Sequence, residues 1–481
     1  MSKITNKSKI LSSLFWKLME RGGTYGIQFL VQIVLARLLA PEQFGVIAIV
    51  MVFINLAQVF VQSGFNTALI QKKNADEVDF SSIFYLSLGT AGILYILMYI
   101  TAPFIANFYD YEILVPVLRV LSLTLFAGAF NSVQNAYISR NLLFKKLFKS
   151  SLGAITISGA IGIIAAYQGL GIWALVIQQL VNQISITIIM WFTVRWRPKL
   201  LFSLSRVKEL FSYGWKLLVS SLLNVLYMDL RTLIIGRIYS TSTLGYYNQG
   251  QLFPKVIVSN IDGSIQSVML PTLSAHQDNK NRVKEMMRRA IVTSSFIIIP
   301  MMVGLAVISE SLVKTILTEK WLPSVPFIQI FCISYALMPI HTANLQAINA
   351  MGRSDIFLKL EIIKKIYGLT ILAISLPFGV YALAIGFVLS GIISSFVNSY
   401  PNKKLLDYNY REQISDIMPS LLISLVMGVI VYTFNFLDIT AWKILVIQIG
   451  TGIIIYFGLA KIFRLECYNY LVATIKQLIG K

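Results

Sequence analysis

Fourteen mostly apolar runs follow one another along this chain, each long enough to cross a ~30 Å hydrocarbon core as a helix. They cover residues 15–39, 44–70, 80–106, 113–138, 148–168, 171–194 and 208–238, then 243–271, 287–309, 326–350, 356–377, 379–400, 413–436 and 441–463. No other feature constrains the fold as strongly, because backbone that meets lipid must satisfy its own hydrogen bonds within helices or a closed barrel. Only 13% of the 481 residues are charged and the mean hydropathy is +0.72, where a soluble domain carries about 25% charged residues. The expectation is an all-α polytopic membrane protein.

The net charge of +20 would point to nucleic acid in a soluble chain. Here the basic residues sit between apolar runs, so they are read as topology signals and headgroup contacts, with no nucleic-acid partner. Alternate loops are basic: Lys72 and Lys73; Arg140, Lys145 and Lys146; Arg195 and Arg197; Lys280 to Arg289; Arg353; Lys403 and Lys404. The intervening turns, such as Pro41-Glu42-Gln43 and Phe378-Gly379, are nearly bare, and the turn after the ninth run balances Lys314 and Lys320 with Glu310 and Glu319. The positive-inside rule then places both termini in the cytoplasm. The basic start leads into a long run without a cleavage-like site, so the first run is expected to be kept as an anchor. Cys332 and Cys467 form no framework, and His276 and His341 are too few for a metal site. The one Gly-Lys pair, Gly480-Lys481, makes no phosphate loop.

The chain also repeats. Leu35-Ala36-Arg37, with Gly45 closing the hinge, returns as Ile235-Gly236-Arg237, with Gly245 in the same place. Trp16-Lys17-Leu18 returns as Trp215-Lys216-Leu217, and Gly171-Ile172-Trp173-Ala174-Leu175 as Gly379-Val380-Tyr381-Ala382-Leu383. Six crossings return a chain to its starting side, so runs 1–6 and 7–12 read as two copies in one orientation with a site between them. The expected domains are 1–205, 206–402 and a pair of additional runs with a tail over 403–481. The last two runs have no counterpart and are expected outside the core, facing lipid.

Four runs carry polar ridges at helical spacing: Lys17, Arg21, Thr24, Gln28 and Gln32; Asn55, Gln58, Gln62 and Asn66; Lys216, Ser220, Asn224, Tyr227 and Arg231; Asn248, Gln251, Lys255, Ser259, Asp262 and Gln266. An ionised side chain at mid-bilayer costs at least ~2.5–3.5 kcal/mol, so these ridges are expected to face one another around water. Interhelical glue by amides and hydroxyls is the structural alternative, and for Lys255 a salt bridge with Asp262. The expected cavity contacts are Arg21, Gln28, Gln62, Asn224, Tyr227, Arg231, Gln251 and Lys255. Cations staggered through the depth suit a phosphate or diphosphate in transit. Asp262 and Glu20 are the candidates for proton or cation coupling. Asp229 falls off its ridge by half a turn and is expected to pair elsewhere. Lys17 is read as snorkelling, Arg37 and Arg237 as interfacial anchors, and His341 as a packed histidine.

The hinge Arg37-x-Leu39-x-Pro41-x-x-Phe44-Gly45, Arg140 with Phe144, Gly169-x-Gly171-x-Trp173-Ala174-Leu175 and the Gly352-Arg353-x-Asp355 turn resemble the polysaccharide-transporter branch of the multidrug/oligosaccharidyl-lipid/polysaccharide superfamily. Within it the chain is similar to Wzx-type flippases, the colanic- and teichuronic-acid exporter subgroup in particular. The resemblance implies two six-helix lobes in a MATE-like V, plus two extra helices, with a cavity walled by runs 1, 2, 7 and 8. It implies a flip of a polyprenyl-diphosphate-linked oligosaccharide to the outer leaflet of a bacterial inner membrane, with no catalytic residues and no cofactor, H+ or Na+ coupling being left open. Membrane lipids and the polymerase and glycosyltransferases of the same pathway are the expected partners. Two alternatives stand beside it. A MATE-type cation-coupled antiporter would place acids in its cavity, and a membrane-embedded polymerase would need larger outer loops.

Overall fold

The computed structural model describes residues 2–62, 65–72, 74–469 and 473; the side chains of residues 2–11, 13–15, 18, 21 and 213 lie outside that description. All regular structure among the described residues is helical. The α-helices are α1 (Ser2–Leu38), α2 (Pro41–Gln62), α3 (Phe65–Gln71), α4 (Glu77–Tyr109), α5 (Leu114–Leu121), α6 (Thr124–Asn141), α7 (Phe144–Tyr167), α8 (Ile172–Thr193) and α9 (Leu204–Ile238). They continue with α10 (Thr241–Ser274), α11 (Lys280–Leu312), α12 (Val325–Ala336), α13 (Met338–Ala350), α14 (Ser354–Ser375), α15 (Val380–Leu406), α16 (Tyr410–Tyr432) and α17 (Ala441–Ile462).

Among the described residues, eleven helical segments are both long and apolar enough to cross a membrane, and the chain is a multi-pass membrane protein. Three further helices have the length but too many polar groups: α1 with 37 residues, α10 with 34 and α14 with 22. Two of these three carry the predicted ridges. The third, α14, holds Glu361, Lys364 and Lys365 in mid-helix.

The breaks recur with the sequence repeat. α1 gives way to α2 across Leu38–Pro41, and α9 to α10 across Ile238–Thr241. The fourth run is split into α5 and α6, and the tenth into α12 and α13, a parallel that hydropathy did not reveal. Gly171 and Gly379, matched in the sequence, open α8 and α15 at φ values of 56° and 98°. A Cβ makes that conformation costly, which explains glycine at both places.

The chain divides into two compact units, Met1–Gly245 and Tyr246–Lys481. In the first, α1 packs on α7, α7 on α8, and α4 on α6. Helix α9, counted with the second sequence repeat, packs against α2, α3 and α4 of this unit. Its two hinges cross at close range. A Cβ on Gly45 would fall inside the Thr241 carbonyl, and one on Gly245 inside the Pro41 carbonyl. The contact is reciprocal, each glycine meeting the residue four positions before the other.

In the second unit α11 is the hub, touching α12, α13, α16 and α17. The last two runs therefore pack on α11 and on each other. They are not purely apolar: Gln413, Ser420, Ser424 and Gln448 are all buried. Gln413 closes an amide network in which the Asn344 amide donates to Gln413 Oε1 at 2.7 Å and the Asn402 amide donates to Asn344 Oδ1 at 2.7 Å. All three side chains are essentially inaccessible. Gln413→Leu leaves Asn344 with an unmet donor, and a stranded buried polar group costs about 1–3 kcal/mol. The expected result is a lower thermal-denaturation midpoint of the detergent-solubilised protein; an unchanged midpoint would show the network to be dispensable.

Candidate functional site

The first unit contains a polar cleft of about 370 Å³ between α2 and α9, lined by Asn55, Gln58, Gln62, Asn224, Asp229 and intervening Val59, Val225 and Met228. On α2 three of the four ridge residues, Asn55, Gln58 and Gln62, line the cleft, while Asn66 lies on α3 and its Oδ1 accepts from Ser132 Oγ at 2.8 Å. Gln62 Nε2 donates to Gln58 Oε1 at 2.6 Å, and Gln58 Nε2 donates to the Thr124 carbonyl at 3.1 Å. Gly128 makes room for that amide, since a Cβ there would overlap the Gln58 side chain. Asn55 Nδ2 reaches Asp229 Oδ2 at 3.5 Å, joining the two walls.

On α9 the cleft selects a different face from the one expected. Asn224 lies on both, but its cleft neighbours are Val225, Met228 and Asp229. At 100° per residue these sit to one side of Asn224, while Tyr227 and Arg231 sit to the other. Asp229 therefore lines the cleft, with its carboxylate facing Asn55 of α2. Tyr227 is half-buried and Arg231 is buried, 9% exposed, beside the cleft wall. Gly236, nearer this side of the helix, lets α9 approach Ile49 of α2: a Cβ at Gly236 would meet Ile49 Cδ1 at 2.7 Å. The charged group on the cleft lining is thus an acid, where the sequence led us to expect cations.

Along α1, Gln28 is exposed and Glu20 half-buried, its carboxylate accepting from Ser151 Oγ at 3.3 Å. The Arg21 side chain lies outside the described residues. Lys17 sits 5.3 Å above the Phe144 ring, the apolar-stem, charged-tip arrangement expected of a snorkelling lysine.

Gln251, Lys255 and Asp262 belong to the second unit. Gln251 is half-buried and Lys255 exposed. Asp262 is 5% exposed, accepting from Gln266 Nε2 at 2.7 Å and from Thr342 Oγ1. Both carboxylate oxygens thus have donors, and among the described residues no ion pair joins Asp262 to Lys255. His341 is packed, its Nδ1 3.2 Å from Asn398 Nδ2.

Sequence reasoning passed over one charged pair, Glu361 with Lys364 on α14. The signal was present as an acid and a base three apart within an apolar run, a spacing that puts them on one helical face.

Several known proteins are similar to this chain. The family described as polysaccharide biosynthesis protein matches residues 34–326. The teichuronic acid biosynthesis protein TuaB of Bacillus subtilis (strain 168) is 26% identical over 379 residues, 78% of each chain. The lipopolysaccharide biosynthesis protein WzxC of Escherichia coli (strain K12) is 24% identical over 440 residues, 88% of each chain. Among solved structures, the lipid II flippase MurJ in an inward closed conformation aligns with a TM-score of 0.78 at 17% identity, covering 94% of this chain and 99% of that one. An inward-facing multidrug resistance MATE family transporter aligns with a TM-score of 0.60 at 14% identity, covering 80% and 94%. At these identities the structures establish the fold, which is the all-helical one shared by MurJ and MATE proteins.

Proposed function

Because the chain belongs to the polysaccharide biosynthesis protein family, whose match spans more than half of it, we propose that it moves a polyprenyl-diphosphate-linked oligosaccharide from the cytoplasmic to the outer leaflet. A diphosphate bearing sugars cannot shed its water in hydrocarbon, since burying bare charge and unpaired hydroxyls costs far more than thermal energy. The observation that carries the reading is the cleft of amides, Asn55, Gln58, Gln62 and Asn224, set in helices otherwise apolar enough to span a membrane. Amides both donate and accept, as sugar hydroxyls require. Alternating access would expose such a cleft to each side in turn while the prenyl chain stays outside it.

In this reading Arg21, Arg231 and Lys255 meet the phosphates, and Gln28, Tyr227 and Gln251 extend the sugar path. Tyr227 and Arg231, which lie to the other side of Asn224 from the cleft, would enter it in another conformation of the transport cycle. Asp262 or Glu20 would carry any H+ or Na+ coupling. The lobes follow the sequence repeat, residues 1–205 and 206–402, with 403–481 as an added helix pair and fourteen crossings in all. Both termini face the cytoplasm of a bacterial inner membrane, beside the glycosyltransferases and polymerase that make and consume the substrate. Relatives named for biosynthesis and transport support a transporter rather than an enzyme.

Arg231→Ala and Lys255→Ala are each expected to lower export of the surface polymer about tenfold, the loss of one charge-assisted hydrogen bond. Gln62→Leu should fall with them. Normal export in all three at wild-type protein levels would remove these residues from the pathway. Asp229 in the cleft favours a second reading, a cation-coupled antiporter. Efflux of cationic dyes abolished by Asp229→Asn would establish it.

A further inference from the structure

A second concavity of the first unit is unlike the cleft. Between α4 and α9, backed by Phe53 of α2, runs a groove of about 760 Å³ whose walls include Leu97, Phe104, Phe108, Leu233 and Ile238. Leu97, Phe104, Phe108 and Ile238 are each at least half exposed. The hydroxyl of Thr101, also on the lining, is turned back to donate to the Leu97 carbonyl at 2.8 Å, so it offers a ligand little. Tyr109 Oη donates to the Leu233 carbonyl at 3.4 Å and ties the two walls together at one end.

Arg237 stands at that same end. Its Nη1 donates to Asp110 Oδ2 at 2.6 Å, and its guanidinium lies 5.2 Å over the Phe108 ring. Both partners of the pair are open, Arg237 at 41% and Asp110 at 74% exposure. A guanidinium has five N–H donors, and among the described residues Asp110 is the acceptor it has. From Leu97 to Phe108 an α-helix rises roughly 16 Å, about half of a ~30 Å hydrocarbon core. Charge asymmetry of the loops puts the Arg237 end outside.

A groove about half a hydrocarbon core long, lined mostly by carbon and ended by a forked cation, matches a lipid chain with a phosphate head. Resting on the flippase reading above, we infer that the α4–α9 groove holds the polyprenyl tail of the translocated lipid in the outer leaflet, with Arg237 on its diphosphate. Asp110 then competes with the phosphates for the same guanidinium, which gives the two residues opposite signs. A pair that merely braced α4 against α9 would give both substitutions the same sign.

The test uses the full chain in nanodiscs with a photoreactive polyprenyl diphosphate and peptide mapping of the label. Labels are expected within Leu97–Tyr109 and Leu233–Ile238, reduced about tenfold in Arg237→Ala and increased severalfold in Asp110→Asn. Excess two-chain phosphatidylglycerol should not displace the probe. Loss of label in Asp110→Asn equal to that in Arg237→Ala would overturn the inference, as would full competition by phosphatidylglycerol, which would make the groove a site for any anionic lipid. Label confined to the Asn55–Asp229 cleft would sink this inference and leave the flippase reading standing. No specific label anywhere would sink both.

Discussion

Gly45→Ala is expected to lower polymer export at least tenfold without lowering the amount of protein in the membrane. Helix propensity alone predicts the reverse, since alanine within a helix is favoured over glycine by roughly 0.5–1 kcal/mol. Gly45 lies inside α2 with ordinary helical geometry, so conformational freedom does not explain it. What explains it is proximity: a Cβ would occupy the place of the Thr241 carbonyl, and backbone cannot move aside as a flexible side chain can. Small residues that let helices touch are the usual currency of membrane packing. The crossing draws together the α1–α2 and α9–α10 hinges, both at the end that loop charge assigns to the outside. A conformation with these hinges apart would tolerate alanine. The substitution therefore favours conformations in which the crossing is open and penalises the closed one, and alternating access needs both. Gly245→Ala should reproduce the defect, because its Cβ would strike the Pro41 carbonyl, and the double substitution should be little worse than either alone. Gly89→Ala is the control, with nothing within 4 Å of the added carbon. Full export in Gly45→Ala would show that transport does not visit this crossing.

The reciprocal hinge was legible as a motif long before it was legible as a contact. Arg37 to Gly45 and Arg237 to Gly245 announce two copies of one device, yet nothing in either copy says that each glycine is reserved for the other hinge. The polar ridges show a similar limit. Helical periodicity fixes which residues share a face: Asn55, Gln58 and Gln62 of the second ridge line one cleft, but Asn66 falls on α3. Periodicity does not fix how a helix is rotated about its axis. On α9 the rotation that brings Asp229 into the cleft and turns Tyr227 aside goes with packing such as Gly236 close against Ile49, residues far apart in the chain. The breaks between α5 and α6 and between α12 and α13 were invisible for a different reason: hydropathy averages over a window and passes smoothly across a local break. The loop charges set an expectation for the sides of the membrane, but the partners of each charge had to await the fold. Arg237, read as an interfacial anchor, does sit at an exposed helix end, and its pairing with Asp110 came only with the structure.

Lys72→Met is expected to destabilise the first unit by about 2 kcal/mol, between what an exposed ion pair is worth and what breaking a fully buried one costs. Asp79 opens α4 with a carboxylate that is wholly inaccessible. It accepts from the Asp76 backbone N–H at 3.1 Å, completing a reciprocal cap in which Asp76 accepts from the Asp79 N–H. Those hydrogen bonds hold the Asp76 carboxyl below its usual range, the Asp79 backbone N–H contributing most. The charge of Asp79 is answered chiefly by Lys72 Nζ at 3.1 Å, with Arg206 Nε further off at 3.9 Å. Lys72 also reaches Glu209 at 2.9 Å, so one ammonium joins the start of α4 to the first turns of α9. Burial works against that ammonium, but its bonds to Glu209 and Asp79 outweigh it and raise its pKa, so it stays charged. Removing Lys72 leaves a carboxylate that water cannot reach facing the more distant Arg206. Asp79→Asn should cost less, because an amide oxygen can still accept from Asp76 and Lys72 keeps Glu209. The double substitution should recover much of the loss seen in Lys72→Met, since it removes the charge left behind. Thermal denaturation of the solubilised protein reads all three, and a double variant as unstable as the sum of the singles would mean that the pair is not coupled.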